Sequence, residues 1–102
     1  MMPAPNLRYF LSSYFHQDWK VEGARSWINV LVKFVESERP ATVADVISEI
    51  EQLTSDGFSE VKGTEFLQQV GCYFVPNIID MSVQAWLLSI AEELRRLVRE
   101  AG

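Results

Sequence analysis

The chain has 102 residues, 48% hydrophobic, 12% aromatic and 23% charged, the size and make-up of one globular unit spanning 1–102. Nine Lys plus Arg against fourteen Asp plus Glu leave a net charge of −5, which excludes a general nucleic-acid binder because such a protein needs a basic face to displace counterions. A single cysteine, Cys72, excludes an internal disulfide framework and a multi-cysteine zinc site. No cofactor is expected.

Met1 to Asn6 show no basic region followed by an apolar one, and no apolar run approaches the ~20 residues that cross a bilayer. The expectation is a cytoplasmic protein with no membrane partner.

Breaker residues divide the chain into five stretches of helical period. The first runs from Asn6, read as an N-cap, to His16, with Leu7, Phe10, Leu11, Tyr14 and Phe15 on one face. The second, from Gly23 to Glu36, carries Trp27, Ile28, Leu31, Val32 and Val35 as its stripe and stops before Pro40. The third runs from Thr42 to Ser55, with Thr42 as N-cap and Asp45 at N3. Its core side is Val43, Val46, Ile47, Ile50 and Leu53, and Gly57 is its stop.

Ser59 caps a fourth helix with Phe66, Leu67 and Val70 inside, ending at Gly71. The run from Cys72 to Pro76 reads as a short extended segment with no second strand to pair with. Ser82 starts the last helix, to about Arg99, with Val83, Trp86, Leu87, Ile90, Leu94, Leu97 and Val98 buried and Glu92–Arg96 as an i, i+4 pair. The fold class is all-α: a bundle of about five helices with a short extended segment before the last.

Catalytic readings fare poorly. His16 and Asp18 are two apart and do not face each other on a helix, so they make a poor base and orienting acid. His16 fits the end of the first helix better, and Trp19 and Trp86 fit the core. A Cys72–His16 dyad is the remaining hydrolase option, yet a cysteine after a helix-ending glycine is more often a small buried hydrophobe. The chain has no G-x-S-x-G, P-loop or H-E-x-x-H motif and no calcium loop. A non-enzymatic protein is expected.

Charge is distributed unevenly. Residues 1–35 sum to +2, residues 66–102 to −1, and residues 36–65 hold eight acids against Arg39 and Lys62, which is −6. Asp45, Glu49 and Gln52 form a row opposite the apolar side of the third helix, continued by Asp56. Such acids, standing unpaired, give the free protein no stability, and a basic partner turns their repulsion into steering. The candidate binding residues are Asp45, Glu49, Glu51, Asp56, Glu60 and Glu65.

Two strings carry a family resemblance. One is Phe10-Leu11-(x)2-Tyr14-Phe15-His16-Gln17-Asp18-Trp19; the other is Gly71-Cys72-(x)3-Pro76-(x)5-Ser82-(x)3-Trp86-Leu87, with Leu53-(x)3-Gly57-(x)-Ser59 between them. The chain resembles the small helical immunity proteins of bacterial contact-dependent growth inhibition systems. It departs from that group at Asp80, where a glycine is usual, and at Ile78 and Ile79, where more polar residues stand.

The resemblance implies a cytosolic, non-enzymatic inhibitor of one cognate toxin domain, in many such systems a nuclease with a basic cleft. The shared motifs are scaffold residues, so the toxin-binding surface is expected elsewhere. An acidic plug over the toxin's active site or substrate cleft would unite this with the charge pattern. The competing reading is a helical adaptor or oligomerisation module exposing Tyr73, Phe74, Ile78 and Ile79.

Overall fold

The computed structural model describes residues 4–15, 27–55, 58–72 and 80–101. They form five helices and no strand: α1 (Pro5–Tyr14), α2 (Trp27–Ser37), α3 (Pro40–Ser55), α4 (Glu60–Val70) and α5 (Val83–Ala101). The expected all-α architecture is what the chain adopts. The extended segment expected over 72–76 lies almost wholly outside the described residues, as do His16, Asp18, Trp19, Asp56 and Gly57.

Helix ends follow cap chemistry where a cap is available. Ser59 accepts a hydrogen bond from the Lys62 amide at 3.2 Å, and Ser82 accepts one from Ala85 at 3.0 Å. At the far end of α4, Gly71 adopts φ 82°, a left-handed conformation open to glycine without steric penalty. From there Gly71 N–H reaches Gln68 O and Cys72 N–H reaches Leu67 O, which closes a Schellman turn.

Two expected starts are corrected. α3 begins at Pro40 rather than after Thr42, because proline suits the first helical position, where no N–H is needed. Asp45 therefore lies in the second turn and not at N3. α1 begins at Pro5, preceded by Ala4 with no side-chain cap, so Asn6 is inside the helix. At its other end Phe15 follows α1 as its cap and donates its N–H to Leu11 O.

Asp80 has φ 57°, in the same left-handed region. Aspartate tolerates it better than most residues, and a glycine at this position would adopt it freely.

All five helices contribute to one core. α5 packs on α2, α3 and α4, most extensively on α3, while α1 packs on the same three helices. Leu7, Phe10, Leu11 and Phe15 from α1 and its cap meet Val43, Val46 and Ile50 of α3, with Val83, Trp86, Leu87, Ile90 and Leu94 supplied by α5. An aromatic chain crosses this core in edge and tilted contacts, from Phe34 to Phe10 (4.4 Å between centroids), Phe10 to Phe15 (5.7 Å) and Phe15 to Trp86 (5.3 Å). Trp86 is fully buried, as expected.

The expected stripe of α2 is rotated. Its buried residues are Val30, Leu31 and Phe34, while Ile28 is 40% exposed. Asn29, Lys33, Glu36 and Ser37 mark the outer face of this helix, and the expected stripe took Ile28 and Val32 from its flanks in place of Val30 and Phe34, whose ring meets Phe10.

Where α4 meets α5, Gly63 allows close approach. A Cβ there would lie 2.6 Å from the Phe58 ring and 2.8 Å from a Val83 methyl, so no larger residue fits without movement. This contact sets the position of the α4 N-terminus, and with it Glu60, beside the start of α5.

Candidate functional site

The carboxylates of residues 36–65 divide into those turned inward and those turned out. Glu49, half-buried on the α1 side of α3, accepts from Leu7 N at 2.8 Å and from Asn6 Nδ2 at 2.9 Å. The first amides of α1 lack helical partners and carry the positive end of its dipole, so Glu49 supplies the cap that Ala4 lacks. It is not an unpaired charge, contrary to the expectation.

Glu60 does the same for α5: its Oε2 accepts from Val83 N at 2.8 Å. Glu51 forms an ion pair with Arg95 of α5, with both side chains about half exposed. Glu38, in the bend after α2, accepts from Tyr9 Oη at 2.6 Å and Tyr14 Oη at 2.8 Å, tying α1 to the α2–α3 corner. Burial first, then the bond to Glu38, pushes the Tyr14 phenol above its ordinary value of 10. For Tyr9 the bond to Glu38 is the leading cause of a rise in the same direction.

Glu36, Asp45 and Glu65 remain. All three are exposed and make no hydrogen bond or ion pair among the described residues. Asp45 stands on the outer face of α3 with Gln52, and Glu65 on the outer face of α4 with Val61 and Gln68. The described parts of α3 and α4 do not pack against each other, so these two charges are separate outposts rather than one cluster. Asp56 falls outside the described residues.

The catalytic alternatives gain no support. Cys72 is a half-buried thiol packed against the core at the end of α4, and His16 lies outside the described residues. Among the described residues no group of three His, Cys, Asp or Glu could hold a metal ion, and no helix is long and apolar enough to cross a membrane. The adaptor patch at 73–79 is likewise outside the described residues. The expected Glu92–Arg96 pair does not form; Arg96 binds Glu93 and Glu100 (2.7 Å) instead.

Sequence reasoning missed a groove between the first turns of α3 and the last turns of α5. It encloses about 270 Å³ and is lined by Pro40, Ala44, Ile47, Val98, Arg95 and Arg99. The available signal was Pro40, Ala44 and Ile47 at i, i+4, i+7, a flank of small and apolar residues beside, rather than on, the buried face.

Nothing among the curated proteins and nothing among the solved structures matches the chain. The sequence model of the CdiI immunity proteins matches residues 3–94, nearly the whole chain and every helix described above except the last residues of α5. Immunity proteins generally act by binding a toxin rather than by catalysis. The chain belongs to the CdiI immunity protein family, whose members confer immunity to a contact-dependent growth inhibition toxin.

Proposed function

We propose that the chain works in the cytoplasm as one folded unit and neutralises its cognate toxin by covering the active site or substrate cleft with an acidic surface. On this reading the toxin is a nuclease. A domain that cuts nucleic acid needs a basic cleft to hold phosphates, and an acidic inhibitor competes for the same field.

The observation that carries the reading is the −6 charge of residues 36–65, of which Asp45 and Glu65 face solvent without a partner inside the described fold. These two lead the contact. Glu51 and Glu60 add to the field while holding their own partners, Glu49 adds less because it is turned toward α1, and Asp56 extends the Asp45 row in sequence.

The test is a double charge reversal, Asp45→Lys with Glu65→Lys, chosen because neither carboxylate supports the fold. Association with the cognate toxin domain should slow by about tenfold at low salt, a gap that closes as salt screens the charges. An unchanged association rate would overturn the acidic-surface reading. The nuclease assignment is checked separately, by asking whether that toxin domain degrades RNA or DNA and whether an equimolar amount of this protein stops it.

A further inference from the structure

The α3–α5 groove differs from the rest of the candidate surface in both polarity and sign. Pro40, Ala44, Ile47 and Val98 give it an apolar floor, and the side chains of Arg95 and Arg99 complete its lining in a chain of net charge −5. Arg95 is already held by Glu51. Arg99 is exposed and has no carboxylate partner among the described residues.

The groove also borders the outer face of α3. Going around that helix from Ala44, the exposed side passes over Ala41 and Ser48 and reaches Asp45 and Gln52. The intervening side chains are small, so one partner surface of ordinary size can touch the groove and Asp45 together. Exposed acids steer a partner but add little affinity once it has arrived. Lasting contacts come from an apolar side chain seated in a pocket from which water is excluded, with charges around its rim.

Resting on the toxin-binding reading above, we propose that this groove is the anchor of the toxin contact. It receives one apolar side chain of the toxin domain, and a toxin carboxylate beside that side chain pairs with Arg99. Asp45 meets basic residues of the same toxin across the α3 ridge. A volume of about 270 Å³ accommodates a large aliphatic or aromatic side chain. The unpartnered positive charge of Arg99 beside the groove asks for an acid there, so the interface carries both signs. That arrangement also rejects non-cognate toxins, which would leave Arg99 facing a like charge or nothing.

The experiment compares Ala44→Trp, which fills the groove from an exposed helical position, with Arg99→Glu and Arg99→Lys. Binding to the cognate toxin domain is followed by stopped-flow and calorimetry. Ala44→Trp and Arg99→Glu should each weaken binding about tenfold or more through faster dissociation, with the unfolding midpoint unchanged and, for the uncharged Ala44→Trp, the association rate unchanged too. Arg99→Lys should stay close to the parent protein.

Parent-like dissociation in both Ala44→Trp and Arg99→Glu would overturn the anchor while leaving toxin binding intact. Should Ala44→Trp disturb the fold, Arg99→Glu alone decides. Failure of the parent protein to bind the toxin domain would overturn the toxin-binding reading and the anchor together. A concentration-dependent self-association abolished by Ala44→Trp would make a second copy the occupant, and would also overturn it.

Discussion

Asp45 and Glu49 lie one helical turn apart on α3, and Glu60 and Glu65 share α4, yet within each pair one carboxylate faces water and the other closes a helix end. Glu49 reaches the first amides of α1, and Glu60 the first amide of α5, while Asp45 and Glu65 touch nothing in the described fold. The difference lies in what stands opposite. α1 enters its first turn from Ala4, which has no side-chain oxygen, so its orphan amides are available to a carboxylate from another helix. α5 has Ser82 to satisfy Ala85, but Ser82 leaves the Val83 amide for Glu60. The acid-rich segment is thus divided: some of its carboxylates tighten the bundle, and others face solvent.

The sharpest way to break this comparison is to remove one carboxylate of each kind. Glu49→Ala leaves Leu7 N–H and the Asn6 amide without their acceptor and should destabilise the protein by about 2 kcal/mol in denaturant unfolding. Glu49→Gln, which keeps one acceptor oxygen, should recover part of that. Glu60→Ala should cost about 1 kcal/mol, as expected for a helix N-terminal contact at an exposed side chain. Asp45→Ala should stay within about 0.5 kcal/mol of the parent. Equal losses for Asp45→Ala and Glu49→Ala would end the division into inward and outward acids.

A third inward carboxylate, Glu38, sharpens the comparison through pH. Both tyrosines that donate to it hold their protons more tightly folded than unfolded. A group whose folded pKa is raised contributes stability that is complete below its unfolded value, near 10, and is lost as pH climbs past it. The folded state binds more protons in that range, so the slope of stability against pH is negative. Unfolding free energy should therefore fall from about pH 10 upward, and Tyr14→Phe should flatten that fall while lowering stability slightly at pH 7. Asp45→Ala should leave the alkaline limb unchanged.

How much of this could be read from the sequence differs from element to element. The borders of α4 and the start of α5 follow from Ser59, Gly71 and Ser82, whose chemistry is local and acts within a few residues. The start of α3 could be read only by weighing Pro40 as the first helical residue instead of as a breaker. The outer face of α2 was legible in Asn29, Lys33, Glu36 and Ser37, but not which of its many apolar residues lie deepest, a choice that the Phe10–Phe34 contact makes. The fates of the acids were hidden for a different reason. Glu49 and Leu7 are 42 positions apart, Glu60 and Val83 are 23, and no local pattern announces that those elements meet. Charge arithmetic located the acidic segment correctly and could not assign its members to inside or outside. The groove was missed because it needs the flanks of two helices whose cores, but not whose edges, show in the periodicity.

The Glu51–Arg95 pair lies between the two classes and gives the smallest effect. It links α3 to α5 beside the groove, as an inward acid would, but its side chains are 51% and 47% exposed. Water and salt then screen the attraction, and two long side chains lose freedom to hold it. A double-mutant cycle over Glu51→Ala and Arg95→Ala should return a coupling of about 0.5 kcal/mol or less in unfolding, falling further in high salt. In toxin binding the same cycle should behave differently. Removing Glu51 frees the Arg95 guanidinium beside the groove and adds positive charge near where a toxin carboxylate is proposed to sit. Glu51→Ala should then cost association rate through lost acidic field while slowing dissociation, a split that a merely structural ion pair would not produce.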